Sequence, residues 1–187
     1  YSRLSLGEVW GGEIQCPFHG IRFDGGGNCT FIPKNGRKAP SINVPPLTTI
    51  ELHGFIWAWV GGDKLPEGVP PWFEERESDF IYSSLEASWP VPHTYWIETE
   101  LDVSHLPFVH KSTIGRQRDP LIRTRFDLSD TGIKMYFDPD GVTNNSSNFI
   151  DFRFPGVWQL GISKSMYQVI AFVPVQENLT KIYLRTY

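Results

Sequence analysis

The order of apolar and polar positions divides this chain into two β-rich parts. In the first part, short apolar runs separated by Gly and Pro predict strands at 8–10, 12–16, 21–23, 29–32 and 51–60. In the second part, strands are predicted at 79–86, 121–128, 132–137, 148–154, 165–174 and 179–187. The one predicted helix lies within 94–111. An all-β unit followed by one helix and an antiparallel sheet is an α+β arrangement.

A stretch rich in proline and charge separates the two parts. It contains Pro66, Pro70 and Pro71 among acidic and basic residues, a composition typical of a linker between domains. We therefore predict a first domain at 1–62, a linker at 63–79 and a second domain at 80–187.

Composition and charge exclude several classes of protein. The 187 residues carry a net charge of −4, which disfavours an electrostatic nucleic-acid binder. No apolar run reaches the roughly 18–20 residues that a membrane-spanning helix needs. Two cysteines are too few for a framework of several disulfides. The chain starts without Met and ends in a strand-like run, so we expect a piece of a longer polypeptide, truncated at both ends.

Cys16 and His19 form the first group of candidate ligands. A thiolate and an imidazole three residues apart, on a loop shaped by Pro17 and Gly20, suit zinc, copper or an iron–sulfur centre. A bare C-x-x-H is also common in proteins as a buried thiol beside a surface imidazole. For Cys29 the packed-thiol interpretation is the favoured one.

The second group is Asp102, His105 and His110, in a D-x-x-H-x-x-x-x-H pattern. On an unbroken helix, two residues five apart point about 140° away from each other, so both imidazoles could not reach one metal. Pro107 lies between them and can interrupt the helix, which would let the two rings converge. The alternative is a pair of solvent-facing histidines on an amphipathic helix. His53 and His93 have no ligand-like neighbours and are expected to be structural.

Together the two patterns resemble one family. The run from Cys16 through His19 to Pro33 resembles the second ligand loop of Rieske [2Fe–2S] domains, and the Asp102–His110 pattern resembles the mononuclear iron motif of Rieske non-haem iron oxygenases. The resemblance implies that Cys16 and His19 are cluster ligands and that His105 and His110 bind Fe(II). It implies that Asp102 is the catalytic electron bridge: its carboxylate would accept hydrogen bonds from His105 and from a Rieske histidine of a neighbouring subunit.

The resemblance also implies ligands that we do not find in this sequence. The family's first C-x-H pair would precede Tyr1, and its third iron ligand is an Asp far beyond His110, whereas 77 residues follow His110 here. We therefore expect the following aspartates not to be that ligand: Asp119, Asp127, Asp130, Asp138, Asp140 and Asp151.

The family resemblance implies a small all-β Rieske domain followed by a partial helix-grip catalytic domain with an antiparallel sheet. The implied function is that of a terminal oxygenase component, which relays electrons to Fe(II) and activates O2 for hydroxylation or oxidative demethylation of an organic, often aromatic, substrate. The turn at Asp24–Gly27 resembles the demethylase branch somewhat more than the dihydroxylating branch. The implied partners are an NAD(P)H-dependent reductase and, in some members of the family, a ferredoxin; the implied assembly is a cytoplasmic homotrimer. The alternatives are a Rieske-type electron carrier and an inactive truncated homologue.

Overall fold

A computed structural model describes residues 2–38, 41–62, 64–65, 67–73, 81–116, 118–137, 149–163 and 166–187. The chain forms two compact units, Tyr1–Pro70 and Pro71–Tyr187, and their boundary falls inside the predicted linker. The beginning of the strand predicted at 79–86 lies outside the described residues, as do Asp138 and Asp140.

The first unit is built from short antiparallel strands. They are β1 (Glu8–Trp10), β2 (Glu13–Gln15), β3 (Arg22–Phe23), β4 (Cys29–Phe31), β5 (Thr48–Leu52) and β6 (Phe55–Trp59), after a 3₁₀ turn at Leu4–Leu6. The first four form one sheet in sequential order, and β5 and β6 form a separate hairpin.

The hairpin corrects the single long strand predicted at 51–60. The chain reverses at His53 and Gly54, where φ is +57° and +69°. Two consecutive residues with positive φ are typical of a tight two-residue hairpin turn. Glycine adopts this conformation at no cost, whereas His53 is the one described non-glycine residue with positive φ. A histidine at the first turn position is the reason that the sequence pattern did not indicate the reversal.

The second unit is a seven-stranded antiparallel sheet with two helices. Its elements are β7 (Ser83–Trp89), α1 (His93–Leu101), α2 (Leu106–Val109), β8 (Thr124–Ser129), β9 (Gly132–Phe137), β10 (Phe149–Arg153), β11 (Val157–Ser163), β12 (Met166–Gln176) and β13 (Leu179–Thr186). The strand order is β7-β13-β12-β11-β10-β9-β8. The α+β prediction is confirmed.

Strand β11 was not predicted from the sequence. It begins directly after Gly156 and contains Gly161, and glycine inside an apolar run usually marks a turn. The structure places the strand between β10 and β12, where both neighbours pair with it. Trp158 and Leu160 are almost completely buried there, so tertiary packing overrides the weak local preference for a strand.

One face of this sheet forms the main core. Because side chains alternate along a strand, Ile150 and Phe152 share a face with their pairing partners Met135, Leu160 and Trp158. Val103 and Leu106, from the helical segment, complete the cluster on that face. Burial of each large side chain of this kind contributes roughly 1.5–3 kcal/mol to stability. The core therefore fixes the helical segment against the sheet.

Two arginines hold the start of the second unit on the opposite face. Trp72 and Phe73 are each only 4% exposed. The guanidinium of Arg153 lies 4.2 Å from the ring centre of Phe73 and donates a hydrogen bond to the Trp72 carbonyl. Arg185 lies over the ring of Trp72 at 5.4 Å. Cation–π contacts of this kind stabilise by about 0.5–2 kcal/mol each. The segment 71–73 thus packs as part of the second unit.

Candidate functional site

Cys16 and His19 lie in the loop that joins β2 to β3. The loop closes on itself, because the Cys16 amide donates to the Ile21 carbonyl at 2.8 Å and the Gly20 amide donates to the Cys16 carbonyl at 3.0 Å. Gly20 has a φ of +70°, a conformation that L side chains rarely adopt. The imidazole of His19 is exposed and the thiol of Cys16 is half-buried. Both predicted ligands are thus presented on one surface loop.

The loop also prepares the Cys16 sulfur for binding a metal. The backbone amide of Phe18 hydrogen-bonds to it and lowers the pKa of the thiol, with further lowering from the amide of His19 and the side chain of Ser2. Burial acts in the opposite direction but does not reverse the shift. A thiolate is the form that ligates metals, and amide hydrogen bonds to sulfur are characteristic of iron–sulfur sites. The donor set of this loop fits one edge of a [2Fe–2S] cluster.

The two neighbouring motifs have structural roles. Cys29 is 4% exposed on β4, with its sulfur 3.9 Å from the Phe31 carbonyl oxygen, so the prediction of a packed thiol is confirmed. In the glycine-rich turn, one carboxylate oxygen of Asp24 accepts from the amides of Gly26 and Asn28, both at 2.9 Å. Gly27 has a φ of +79°, and an added Cβ would lie 1.8 Å from the Val44 carbonyl oxygen. This is a tight turn and not a phosphate loop.

In the second unit, a break between two helices brings His105 and His110 together. Helix α1 ends at Leu101 and α2 begins at Leu106, so the break precedes Pro107. Our expectation that Pro107 would itself interrupt the helix was wrong, since proline is tolerated in the first turn of a helix and here lies in the first turn of α2. His105 caps one end of α2 and His110 the other. Their ring centres are 5.2 Å apart, with the planes at 63°.

Buried neighbours and backbone hydrogen bonds fix the segment that carries both imidazoles. Val103 and Leu106 are less than 9% exposed and attach the break to the core of the sheet. The amides of Val109 and His110 donate to the carbonyls of His105 and Leu106, at 2.8 and 3.1 Å. The turn that follows is closed by the Gly115 amide, which donates to the His110 carbonyl at 3.0 Å.

Gly115 is expected to be essential for this packing. A Cβ at position 115 would lie 1.8 Å from the Leu106 carbonyl oxygen, so Gly115→Ala must displace either α2 or the turn. We expect a loss of about 2–3 kcal/mol in the free energy of unfolding, measured by urea denaturation. Gly25→Ala is the matched control, because no atom lies within 4 Å of the added methyl group, and it should change stability by less than about 0.5 kcal/mol. Equal stabilities of the two variants would contradict this account.

The histidine pair lies between an open cleft and a more enclosed cavity. The cleft has a volume of about 520 Å³ and is lined by Glu98, Thr99, Asp102, His105, Val109 and His110. The cavity has a volume of about 350 Å³. Its lining contains the same Asp102 and histidines, together with apolar side chains from the inner face of the sheet. A metal held by the two imidazoles would therefore face an apolar cavity, which is the arrangement expected for a small-molecule site.

Asp102 is exposed and bonds to its own turn. Its carboxylate accepts hydrogen bonds from the amide and the hydroxyl of Ser104, at 2.8 and 2.5 Å. The Ser104 hydroxyl, then its amide, and then the charge of His105 lower the pKa of the carboxyl, so Asp102 is anionic at neutral pH. Among the described residues, Ser104 is the one hydrogen-bond donor to this carboxylate. Asp102 thus presents a fixed negative charge in the open cleft beside His105.

Glu100 is a second carboxyl in the cavity. It lies in the last turn of α1, where its backbone carbonyl accepts a hydrogen bond from the indole nitrogen of Trp158 at 3.2 Å. Burial of its side chain raises the pKa to about 7, well above the usual 4.5. The carboxyl is therefore largely protonated below neutral pH.

This shift predicts a pH-dependent effect of Glu100→Gln. Between pH 4.5 and 7 the unfolded chain loses the proton while the folded chain keeps it, so stability falls as the pH rises. The amide of Gln cannot ionise. At pH 8 the variant should be more stable than the unmodified protein by about 3 kcal/mol, and at pH 4.5 the difference should fall below about 0.5 kcal/mol. Chemical denaturation at both pH values measures this.

The described aspartates that we expected not to be the third iron ligand lie elsewhere in the second unit. Asp127 and Asp151 point away from the core face and pair with Arg125 and Arg153, at 3.3 and 3.5 Å. Asp119 accepts from the Leu121 amide, and Asp130 lies in the turn between β8 and β9. In the part of the chain that the structure describes, no third His, Cys, Asp or Glu joins the pair in a metal-binding cluster. His53 and His93 are likewise outside any such cluster within those residues.

Sequence reasoning missed four residues of this site. Ser104 follows Asp102 by two positions, a spacing typical of Asp side chains that bond to the backbone, so it could have been found. Glu100 and Gln168 face the cavity only because of helix phase and strand register. Gly115 is adjacent to α2 through a turn that has no clear sequence signature. The latter three depend on tertiary contacts.

Comparison with known proteins identifies the first unit. Residues 1–50 match the family described as the Rieske [2Fe-2S] domain. Within the described residues, no helix is long and apolar enough to cross a membrane.

Related proteins and a solved structure extend the match beyond that domain. The chain is 38% identical over 113 residues to chlorophyllide a oxygenase of Chlamydomonas reinhardtii, covering 60% of this chain and 17% of that protein. It is 34% identical over 116 residues to the oxygenase component of dicamba O-demethylase of Stenotrophomonas maltophilia, covering 60% of this chain and 34% of that protein. A crystal structure of dicamba monooxygenase bound to dicamba has the same fold, with a TM-score of 0.77 and 20% identity over 98% of this chain and 62% of that one. The chain thus spans about a third or less of the length of these two relatives.

Proposed function

This chain belongs to the Rieske oxygenases, and we propose that it is part of a terminal oxygenase component that oxidises an organic substrate with O2. The family membership rests on the matched domain and on relatives that are themselves oxygenases. The proposal goes further, because it assigns to this chain an electron relay between two metal centres and a substrate site.

The proposal rests above all on the pair of imidazoles. His105 and His110 are brought within 5.2 Å of each other, ring centre to ring centre, at the wall of an apolar cavity. Two histidines with a carboxylate from elsewhere form the facial triad of non-haem iron enzymes, which leaves coordination positions open. When bound there, Fe(II) would supply the activation of O2 for hydroxylation or oxidative demethylation. The two histidines would hold the metal.

The other residues of the cavity would bind substrate and exclude water. Phe137, Ile150, Leu160 and Ile170 form an apolar wall that suits an organic, often aromatic, molecule. Water is unfavourable against such a wall, so a substrate that fills the cavity would also keep solvent away from the reaction.

Asp102 is proposed to carry electrons to the iron site. Its anionic carboxylate lies in the open cleft next to His105, where a group from outside this unit can reach it. A ligand histidine generally hydrogen-bonds through its second nitrogen to a carboxylate or carbonyl. We propose that Asp102 connects His105 with a Rieske histidine, equivalent to His19, of another subunit in a homotrimer.

The proposed partners supply electrons. Cys16 and His19 would hold one edge of the Rieske cluster, whose imidazole ligands raise its reduction potential relative to all-cysteine clusters. Electrons would pass from NAD(P)H to a reductase and then to the cluster, in some systems through a ferredoxin. We place the protein in the cytoplasm.

The rival function is that of an electron carrier without an oxygenase site. An electron carrier requires only the cluster domain and not a second unit with a histidine pair at an apolar cavity. Residues 83–187 therefore favour the oxygenase. An inactive homologue would keep the fold but would not bind iron at His105 and His110.

Removal of the mononuclear metal tests the proposal. The native protein, supplied with its reductase and NAD(P)H, is treated with a mild Fe(II) chelator and then with added Fe(II). We expect O2-dependent substrate oxidation to stop when the chelator is added and to return when Fe(II) is added. The visible absorption of the cluster should be unchanged throughout. An electron carrier would reduce its acceptor equally well before and after chelation, and that result would overturn the proposal.

A further inference from the structure

We infer that Glu100 and Gln168 are the polar pair that orients the substrate in the cavity, and that the substrate is an uncharged apolar molecule bearing an amide-like group. Such a group both donates and accepts hydrogen bonds, whereas a carboxylate or sulfonate only accepts them. The inference rests on the proposed function and specifies the substrate class of the same site.

The surrounding cavity is otherwise apolar along the sheet. Its remaining sheet residues are Phe137, Ile150, Trp158, Leu160, Ile170 and Leu184. On such a surface, one or two polar groups determine how a bound molecule is oriented. No lysine or arginine occurs among the described residues that line the cavity. An anionic ligand would thus find no cationic side chain on this wall.

Gln168 is a polar residue in a row of inward-facing apolar ones. Strand β12 directs Gln168, Ile170 and Phe172 to the same face, and Gln168 pairs with Leu160. In the described part of the chain, its side-chain amide has no hydrogen-bond partner. A half-buried amide without a partner is costly against apolar surface, and a bound ligand can remove that cost. Gln168 is therefore placed to bond with a substrate.

Glu100 faces the same cavity from the opposite side. Its carbonyl is held by Trp158, which pairs with Ile170 on β12. Gln168 is two residues along that strand, about 6.6 Å further. A small ligand can therefore contact both side chains. The Glu100 carboxyl has no cationic partner among the described residues, although three other titratable groups line the cavity: Asp102, His105 and His110.

The protonation of Glu100 supports this assignment. Burial raises the pKa of the carboxyl to about 7, so near neutral pH it exists in both forms. The protonated form donates to a carbonyl, and the ionised form accepts from an N–H, so an amide has a partner in either state. A carboxylate ligand would be repelled by the ionised form. No strand that faces Glu100 contributes a charged side chain to the cavity.

Two probes of the same shape and different charge test the inference. Isothermal titration calorimetry of the native protein, with and without Fe(II), compares 2-naphthamide with 2-naphthoate at pH 8. We expect the amide to bind at least about tenfold more tightly, the change that one hydrogen bond or one repulsive charge produces. Glu100→Leu and Gln168→Leu should each weaken amide binding by about tenfold. Tighter binding of naphthoate, no binding of either probe, or unchanged amide affinity in both leucine variants would overturn the inference.

A second variant avoids any loss of folding. Glu100→Gln keeps the shape of the side chain and can still form hydrogen bonds to an amide, but it cannot ionise. It should keep amide affinity within about threefold and strengthen naphthoate binding at least about fivefold at pH 8. Glu98→Gln, two residues away on the same helix and outside the cavity lining, should change neither affinity. Unchanged naphthoate binding in Glu100→Gln would contradict the role of its charge.

These binding measurements are independent of the oxygenase assignment. If the amide preference is found but the histidine pair binds no iron, the proposed function fails while the cavity assignment stands. If iron binds and the preference is absent, the cavity assignment alone fails.

Discussion

Replacement of His105 or His110 by alanine is expected to abolish Fe(II) binding at the mononuclear site. In the proposed iron site each imidazole is one of the two ligands found among the described residues, and their ring centres lie 5.2 Å apart. Changes in residues that only support a ligand already cost 10–100-fold in metal affinity, so loss of a ligand itself should cost more than about 100-fold. Anaerobic titration of the native protein with Fe(II), followed by iron analysis after gel filtration, measures the loss.

A third histidine gives a matched control for this experiment. His93 begins α1, on the same helical segment, but is not part of either cavity. His93→Ala should bind Fe(II) with the affinity of the unmodified protein. If His105→Ala and His93→Ala bound iron equally well, the mononuclear site would have to be placed elsewhere in the protein.

Asp102→Asn is expected to reduce product formation by at least about 100-fold while both metal centres remain loaded. Asparagine keeps the size of the side chain, and its oxygen can still accept from the Ser104 amide and hydroxyl, so the turn should survive. The negative charge beside His105 is lost, and with it the proposed connection to the next subunit. Rapid mixing of the reduced protein with substrate and O2 should show a cluster that is reoxidised far more slowly than normal.

Ser104→Ala separates the charge of Asp102 from the geometry of its turn. Removal of the Ser104 hydroxyl removes the largest cause of the lowered Asp102 pKa. The carboxylate stays ionised at neutral pH, so we expect turnover within about tenfold of normal. A normal reoxidation rate in Asp102→Asn would disprove the bridging role, and so would an equal loss of turnover in Ser104→Ala.

How far the sequence alone predicts this protein depends on the range of the interactions involved. The pattern of Asp102, His105 and His110 predicts an iron site through its resemblance to Rieske oxygenases, whereas the spacing alone left a solvent-facing pair of histidines open. The convergence of the two rings was anticipated, but its cause was not. The chain leaves helix α1 at Asp102, and Pro107 lies in the first turn of α2 instead of ending a helix.

The errors in the predicted strands also have physical causes that are not local. The reversal at His53 and Gly54 requires positive φ at a residue that rarely adopts it, so a two-strand hairpin was predicted as one strand. Strand β11 gains its stability from the burial of Trp158 and Leu160 between two neighbours. Neither a rare backbone conformation nor long-range burial can be read from local apolar periodicity.

The inward direction of Gln168 also follows from strand register. A shift of one residue in the pairing of β12 would turn the side chain of Gln168 to the opposite face of the sheet. Its apolar neighbours along the strand would then face the cavity instead. The position of Glu100 at the cavity depends on the hydrogen bond that attaches α1 to Trp158. The residues proposed to orient the substrate are therefore harder to predict from sequence than the proposed metal ligands.

The arginine contacts on Trp72 and Phe73 bear on how such two-unit proteins exchange their parts during evolution. Because these two aromatic residues belong to the packing of the second unit, a recombination point after Phe73 would remove Phe73 from Arg153 and Trp72 from Arg185. A junction on the N-terminal side of Pro71 would transfer the second unit with its own packing complete. A different first unit could then be joined to the same second unit without any change in the core of the second unit.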